Sequence, residues 1–129
     1  MSKKIEDLTI DEAEKAISEI TIKKKQVDIK KVELRKRLNG LKVEMSSIKE
    51  AKTKKLKSIQ EDISKANTKS AKDLKRKAKV RESDSFDNRI KSKEREIQSE
   101  TKRILEIDEE KAYLNHIIEH IKQHINKIK

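Results

Sequence analysis

From Ile10 to Ile48 the apolar residues of this chain fall on steps of three, four and seven, and no proline interrupts the pattern anywhere in 129 residues. Ile10, Ala13, Ile17, Ile20, Val27, Leu34, Leu38, Leu41, Met45 and Ile48 share one heptad strip. A strand would alternate with period 2, so this spacing belongs to an α-helix that buries a narrow seam against another helix. Lys24 and Lys31 occupy seam positions, where a cation costs stability and can fix register or partner number.

The helix has a readable start. Thr9 followed three residues later by Glu12 is a capping-box pattern, in which each residue's side chain satisfies the other's exposed backbone N–H. The only glycine follows Asn39, and an Asn-Gly pair between alternating apolar residues is a β-hairpin signal. Leu34, Leu38, Leu41, Met45 and Ile48 nevertheless keep the helical phase on both sides of it, and a glycine inside a helix costs only about 1 kcal/mol. Continuous or kinked helix is the reading adopted over a hairpin, with three helices instead of two if the chain turns at Asn39-Gly40.

After Ile48 the seam steps to Leu56, Ile59, Ile63 and Ala66, a stutter against the strict heptad. Apolar positions then thin to Leu74, Ala78 and Val80 before Ser83, Asp84 and Ser85 cluster, which predicts a break and a fresh N-cap. Ile90, Ile97, Ile104, Ile107, Leu114, Ile118, Ile121, Ile125 and Ile128 hold one register to the C-terminus. The expected fold is therefore all-α: an elongated antiparallel coiled-coil helical hairpin, one domain over 1–129. Its first arm runs over about 10–82, with a break at about 83–86 and a second arm over about 87–128.

Apolar residues make up 32% of the chain and charged residues 46%, with two Met, one Tyr, one Phe and no Trp. Such a composition cannot fill a thick core, which suggests that the hairpin associates with a second copy. The seam from Ile104 through Ile107, Leu114, Ile118, Ile121 and Ile125 to Ile128 is the expected oligomerisation surface. Low hydropathy with a net charge of +11 overlaps the signature of disorder, but the periodicity argues for a folded chain. No apolar run approaches the roughly 18 residues of a membrane span. The opening MSKKIEDLTI lacks the apolar stretch of a secretory signal, so a cytoplasmic location is expected.

The positive charge is uneven. Residues 64–81 hold Lys65, Lys69, Lys72, Lys75, Arg76, Lys77, Lys79 and Arg81 against Asp73 alone, a net of +7. A second group, 23–37, sets eight basic residues against Asp28 and Glu33, a net of +6. A basic helix with few apolar residues suits contact with a phosphate backbone, where each neutralised phosphate releases counterions. The near absence of aromatics and of recognition-helix or zinc-finger spacing argues against sequence-specific reading. Residues 64–81 resemble the basic arm of bZIP proteins in composition only; no leucine zipper directly follows, so nothing of that family is carried over.

Two further patterns bear on chemistry. His116, His120 and His124 stand four apart, a spacing at which two imidazoles can grip a metal, but no cysteine or acidic residue completes the set. They lie outside the seam, so a solvated face is expected and no metal or other cofactor is assigned. One glycine cannot build a phosphate loop. No nucleophile motif occurs, and the carboxylates alternate with lysines at spacings suited to surface ion pairs. The chain reads as non-enzymatic, a coiled coil that presents Lys65 to Arg81 to DNA or RNA. The alternative is a protein-protein adaptor, stalk or assembly scaffold, with an acidic protein as partner, in which the lysines serve solubility.

Overall fold

The structure, a computed structural model, describes residues 4–129; the first three residues of the 1–129 domain lie outside the described residues. A 3-10 turn, Ile5–Asp7, precedes helix α1, Ile10–Lys65, and helix α2, Lys69–Ile128. The two helices pack against each other as an antiparallel hairpin, the all-α architecture that the heptad spacing predicts. Thr9 caps α1 as expected: its N–H donates to Glu12 Oε1 and Glu12 N–H donates to Thr9 Oγ1, both at 3.2 Å. Helix runs through Asn39-Gly40, with no positive φ. Burial of Leu34 on one side and Ile48 on the other shows which force decided this: seam packing outweighed the turn preference of the dipeptide.

The position of the break is corrected. The chain turns at Ala66, Asn67 and Thr68, and residues 83–86 lie inside α2. Thr68 is the N-cap, its Oγ1 accepting from Ala71 N–H at 3.1 Å. Ser83, Asp84 and Ser85 stay helical because their turn of helix carries Phe86, which is buried, in phase with half-buried Ile90 and Ile97. Unfavourable propensities of a few tenths of a kcal/mol per residue do not outweigh that packing. With the turn placed here, the arms are 56 and 60 residues, and the apparent excess length of the first arm disappears.

The hairpin divides into two compact units. The first joins the N-terminal stretch up to Lys36 to Lys102–Lys129. There Val27 and Leu34 pack with Ile107 and Leu114, and Ala13 packs with Ile121 and Ile125. Lys31 pairs with Asp108, and Lys111 Nζ meets Asp28 Oδ1 at 2.7 Å. Lys31 is one of the two seam lysines, and this pair gives its ammonium a partner on the opposite helix. The Lys111 ammonium, hydrogen-bonded to Asp28, holds that carboxyl below its usual range.

Ile5 and Leu8 fold onto the Ala13, Ile121, Ile125 cluster. His124 is buried beneath them, its Nε2–H donating to the Leu8 carbonyl at 2.9 Å. The expectation that all three histidines share a solvated face is thus corrected for His124. The turn before α1 covers a flank that seam geometry alone leaves open.

The second unit is Arg37–Thr101. Its buried apolar residues are Ile48, Ile63 and Phe86, and the Arg89 guanidinium lies 5.4 Å from the Phe86 ring centroid. Lys52 meets Asp87 at 2.5 Å, Lys93 meets Glu44 at 2.6 Å, and Lys79 donates to Gln60 at 2.8 Å. The hydrogen bond to Glu44 raises the Lys93 ammonium above its usual range.

Candidate nucleic-acid interface

The eight basic residues of the sequence motif lie in the second unit, around the turn. Lys65 ends α1, Lys69 begins α2, and Lys72, Lys75, Arg76, Lys77, Lys79 and Arg81 follow on the first turns of α2. They divide by exposure. Lys65, Lys69, Arg76, Lys77 and Arg81 are exposed, whereas Lys72, Lys75 and Lys79 are half-buried toward α1. Lys79 reaches Gln60, and Arg76 meets Asp73 at 3.2 Å one turn back. An exposed i,i+3 pair is worth a few tenths of a kcal/mol, so Arg76 can exchange Asp73 for a stronger anion.

The fold adds residues that the motif omits. Lys49, Lys52, Lys54, Lys55 and Lys57 of α1 belong to the same unit and face only Glu50 within their own stretch. Lys52 is engaged by Asp87, and the other four are exposed. The signal was present in the sequence as a lysine run, but its membership in the same unit as 64–81 depends on where the chain turns. Across the unit, nineteen basic residues stand against eleven acidic ones, a net of +8; the first unit has sixteen against thirteen, a net of +3. The second sequence cluster, 23–37, falls largely in that near-balanced unit, where Lys31 is committed to Asp108 and Asp28 faces Lys111.

Leu74 and Val80, which the sequence reading treats as the remnant of the seam, point outward at 67% and 60% exposure, while Ala78 is half-buried. With Arg76, Lys77 and Arg81 they line an open concavity of about 630 Å³. Chemically this surface sets two exposed aliphatic side chains among three cations.

The expected oligomerisation seam is occupied within the chain. Ile107 and Leu114 pack on Val27 and Leu34, and Ile121 and Ile125 pack on Ala13. Ile118 is buried, Ile104 half-buried against the same core, and Ile128 exposed at the helix end. Of the histidines, His116 and His120 are exposed, with His120 Nε2 4.0 Å from Glu6 Oε1. Among the described residues no three His, Cys, Asp or Glu side chains are grouped to hold a metal ion, and no helix is long and apolar enough to cross a membrane.

No family model, no curated protein and no solved structure matches this chain.

Proposed function

We propose that this is a non-enzymatic coiled-coil protein of the cytoplasm whose second unit binds the phosphate backbone of nucleic acid without sequence preference. The observation that carries this reading is the concentration of charge: +8 of the total +11 lies in Arg37–Thr101. Within that unit Lys65, at the end of α1, and Lys69, Arg76, Lys77 and Arg81, on the first turns of α2, are exposed. A rigid helix spaces such cations along one surface, which suits a regular array of phosphates better than a single anionic group. DNA duplex is the favoured partner because nothing in the unit offers aromatic faces on which unpaired bases stack; Phe86, its one aromatic residue, is buried.

Titration of a labelled arbitrary-sequence DNA duplex by fluorescence anisotropy, at about 50 and about 200 mM salt, tests the reading. Neutralising six to ten phosphates predicts a loss of affinity of about 10³ to 10⁵ between those conditions. Replacing Lys69, Lys77 and Arg81 by Glu should abolish measurable binding at the higher salt. Affinity indifferent to both changes would end the phosphate-tracking assignment.

Outward-facing Leu74 and Val80 beside Arg76, Lys77 and Arg81 favour one second reading, an adaptor or scaffold that receives an acidic protein segment. Phosphate contact has no use for those two side chains, so Leu74→Ser with Val80→Ser separates the readings. Duplex binding should be unchanged by the pair of substitutions, while an acidic amphipathic partner would be lost.

A further inference from the structure

We propose that the outer face of α1 in the first unit lies on the surface of an anionic lipid bilayer, with Ile22, Ile29 and Val32 entering the headgroup layer and the basic residues around them holding acidic lipids. The three side chains are 58%, 62% and 52% exposed. Each residue of an α-helix is turned about 100° from the last, so Ile22 and Ile29 lie within about 20° of each other and Val32 about 60° away. They form one strip, about 15 Å long. It runs opposite Ile20, Val27 and Leu34, the side of α1 that packs on Ile104, Ile107 and Leu114.

The charge around this strip has one sign. By the same helical geometry Lys25 and Lys36 fall in line with it, Lys23 and Lys30 lie on one flank and Arg35 on the other. All five are exposed. Residues 22–36 offer only two carboxylates against them, and Asp28 is engaged by Lys111 of α2, which leaves Glu33. The partner that complements this face is therefore anionic and brings an apolar layer with it.

A phosphate backbone meets the charge but has no use for Ile22, Ile29 and Val32. An acidic helix joining a helical pair seats where it touches both arms, whereas this strip is the crest of α1 on the side away from its core. A flat layer meets a crest without needing a groove. Aliphatic side chains flanked by lysines, whose stems lie in the interface while their ammonium groups reach the headgroups, are what an interfacial helix presents. A cluster of four to eight basic residues on such a helix is the pattern that holds acidic lipids. Among the described residues no helix is long and apolar enough to cross a membrane, so the contact is one of lying on the bilayer.

Co-sedimentation of the full chain with vesicles, at about 0.1 M salt, tests this. The chain should bind vesicles of phosphatidylcholine mixed with phosphatidylserine and not those of phosphatidylcholine alone. Ile29→Ser with Val32→Ser, which keeps the charge, should weaken binding about tenfold or more. Lys23→Glu with Lys25→Glu and Lys30→Glu should weaken it about a hundredfold or more, the helical circular dichroism signal persisting in both variants. Reversal of Lys69, Lys77 and Arg81 in the second unit should weaken it less than about tenfold. Because the chain has no tryptophan, Ile29→Trp gives an independent readout: its emission should shift to the blue on the mixed vesicles, and that of Val80→Trp should not. No binding to the mixed vesicles overturns the proposal, as does binding that ignores the serine pair or falls equally with the two charge reversals. Loss of duplex affinity in the serine pair also overturns it, because the strip then serves nucleic acid.

Discussion

The two units are built from the same two helices and differ in what they spend their residues on. The first buries Ala13, Val27, Leu34, Ile107, Leu114, Ile118, Ile121 and Ile125 and carries a net charge of +3. The second buries Ile48, Ile63 and Phe86 and carries +8. Burial of apolar area is the main favourable term in folding, and like charges held close oppose compaction. The first unit therefore supplies most of the stability, and the second holds a concentration of charge that it does little to stabilise by itself. Charge kept at a cost to stability is the pattern expected of a binding surface, and this contrast underlies the functional proposal.

The strongest test of the contrast is a matched pair of cavities. Ile121→Ala, inside the Ala13 and Ile125 cluster, should cost about 3 to 4 kcal/mol in urea unfolding, whereas Ile63→Ala, with fewer apolar neighbours, should cost about 2 kcal/mol. Native-state hydrogen exchange should show the same order, with amides of the second unit exchanging through lower-energy openings. Equal costs and equal protection would mean that the second unit is stabilised by something other than its three buried side chains.

The charge contrast can be sharpened by moving one set of substitutions between units. Lys69, Lys77 and Arg81 changed to Glu should lower duplex affinity by about a hundredfold or more at fixed salt. The same reversal at Lys23, Lys25 and Lys30 changes net charge equally and should lower it by less than about tenfold, through long-range attraction alone. If both sets had the same effect, the protein would act as a diffuse polycation and the location of the charge would carry no meaning.

What was legible in the sequence follows from what is periodic. The seam from Ile10 to Ile48, the Thr9 and Glu12 box and the register after Ile104 all rest on spacing within one helix, and one helix is enough to read them. The turn was not legible. Ala66, Asn67 and Thr68 contain neither glycine nor proline, and Ser83, Asp84 and Ser85 offer denser local competition for backbone hydrogen bonds. Only the match in length between two packed arms decides between those sites.

Leu74, Val80 and the lysines from Lys49 to Lys57 were misplaced or passed over for the same reason, since the turn fixes which face points out and which segments share a unit. His124 failed differently. Its burial depends on Ile5 and Leu8 folding back over α2, and nothing periodic announces a contact made by an irregular segment.

Gly40 gives a smaller prediction. It sits in helix α1 with negative φ, and a Cβ built there meets no atom within 4 Å. Gly40→Ala should therefore stabilise the chain by about 1 kcal/mol, chiefly by restricting the unfolded state. The gain should appear as slower exchange in the second unit, narrowing the difference between the units. A loss of stability on that substitution would show that the helix bends at Asn39-Gly40 in solution.

The smallest expected effect separates the units by pH. The Lys111 hydrogen bond holds the Asp28 carboxyl below its ordinary value. Its contribution is therefore present above the unfolded aspartate value of about 3.9 and is lost as pH falls through the lower folded one. The Glu44 hydrogen bond raises the Lys93 ammonium. That contribution is present below the unfolded lysine value of about 10.4 and is lost as pH rises through the higher folded one.

Acid thus loosens an ion pair of the first unit and alkali one of the second, each weakly, because both pairs are exposed and screened by salt. Melting temperatures of wild type and Asp28→Asn should differ at neutral pH and converge below about pH 4, while wild type and Lys93→Gln should converge only at the alkaline end. An Asp28→Asn difference that survived below pH 2 would have to come from packing or helix propensity, because the carboxylate that accepts from Lys111 is no longer there to be lost.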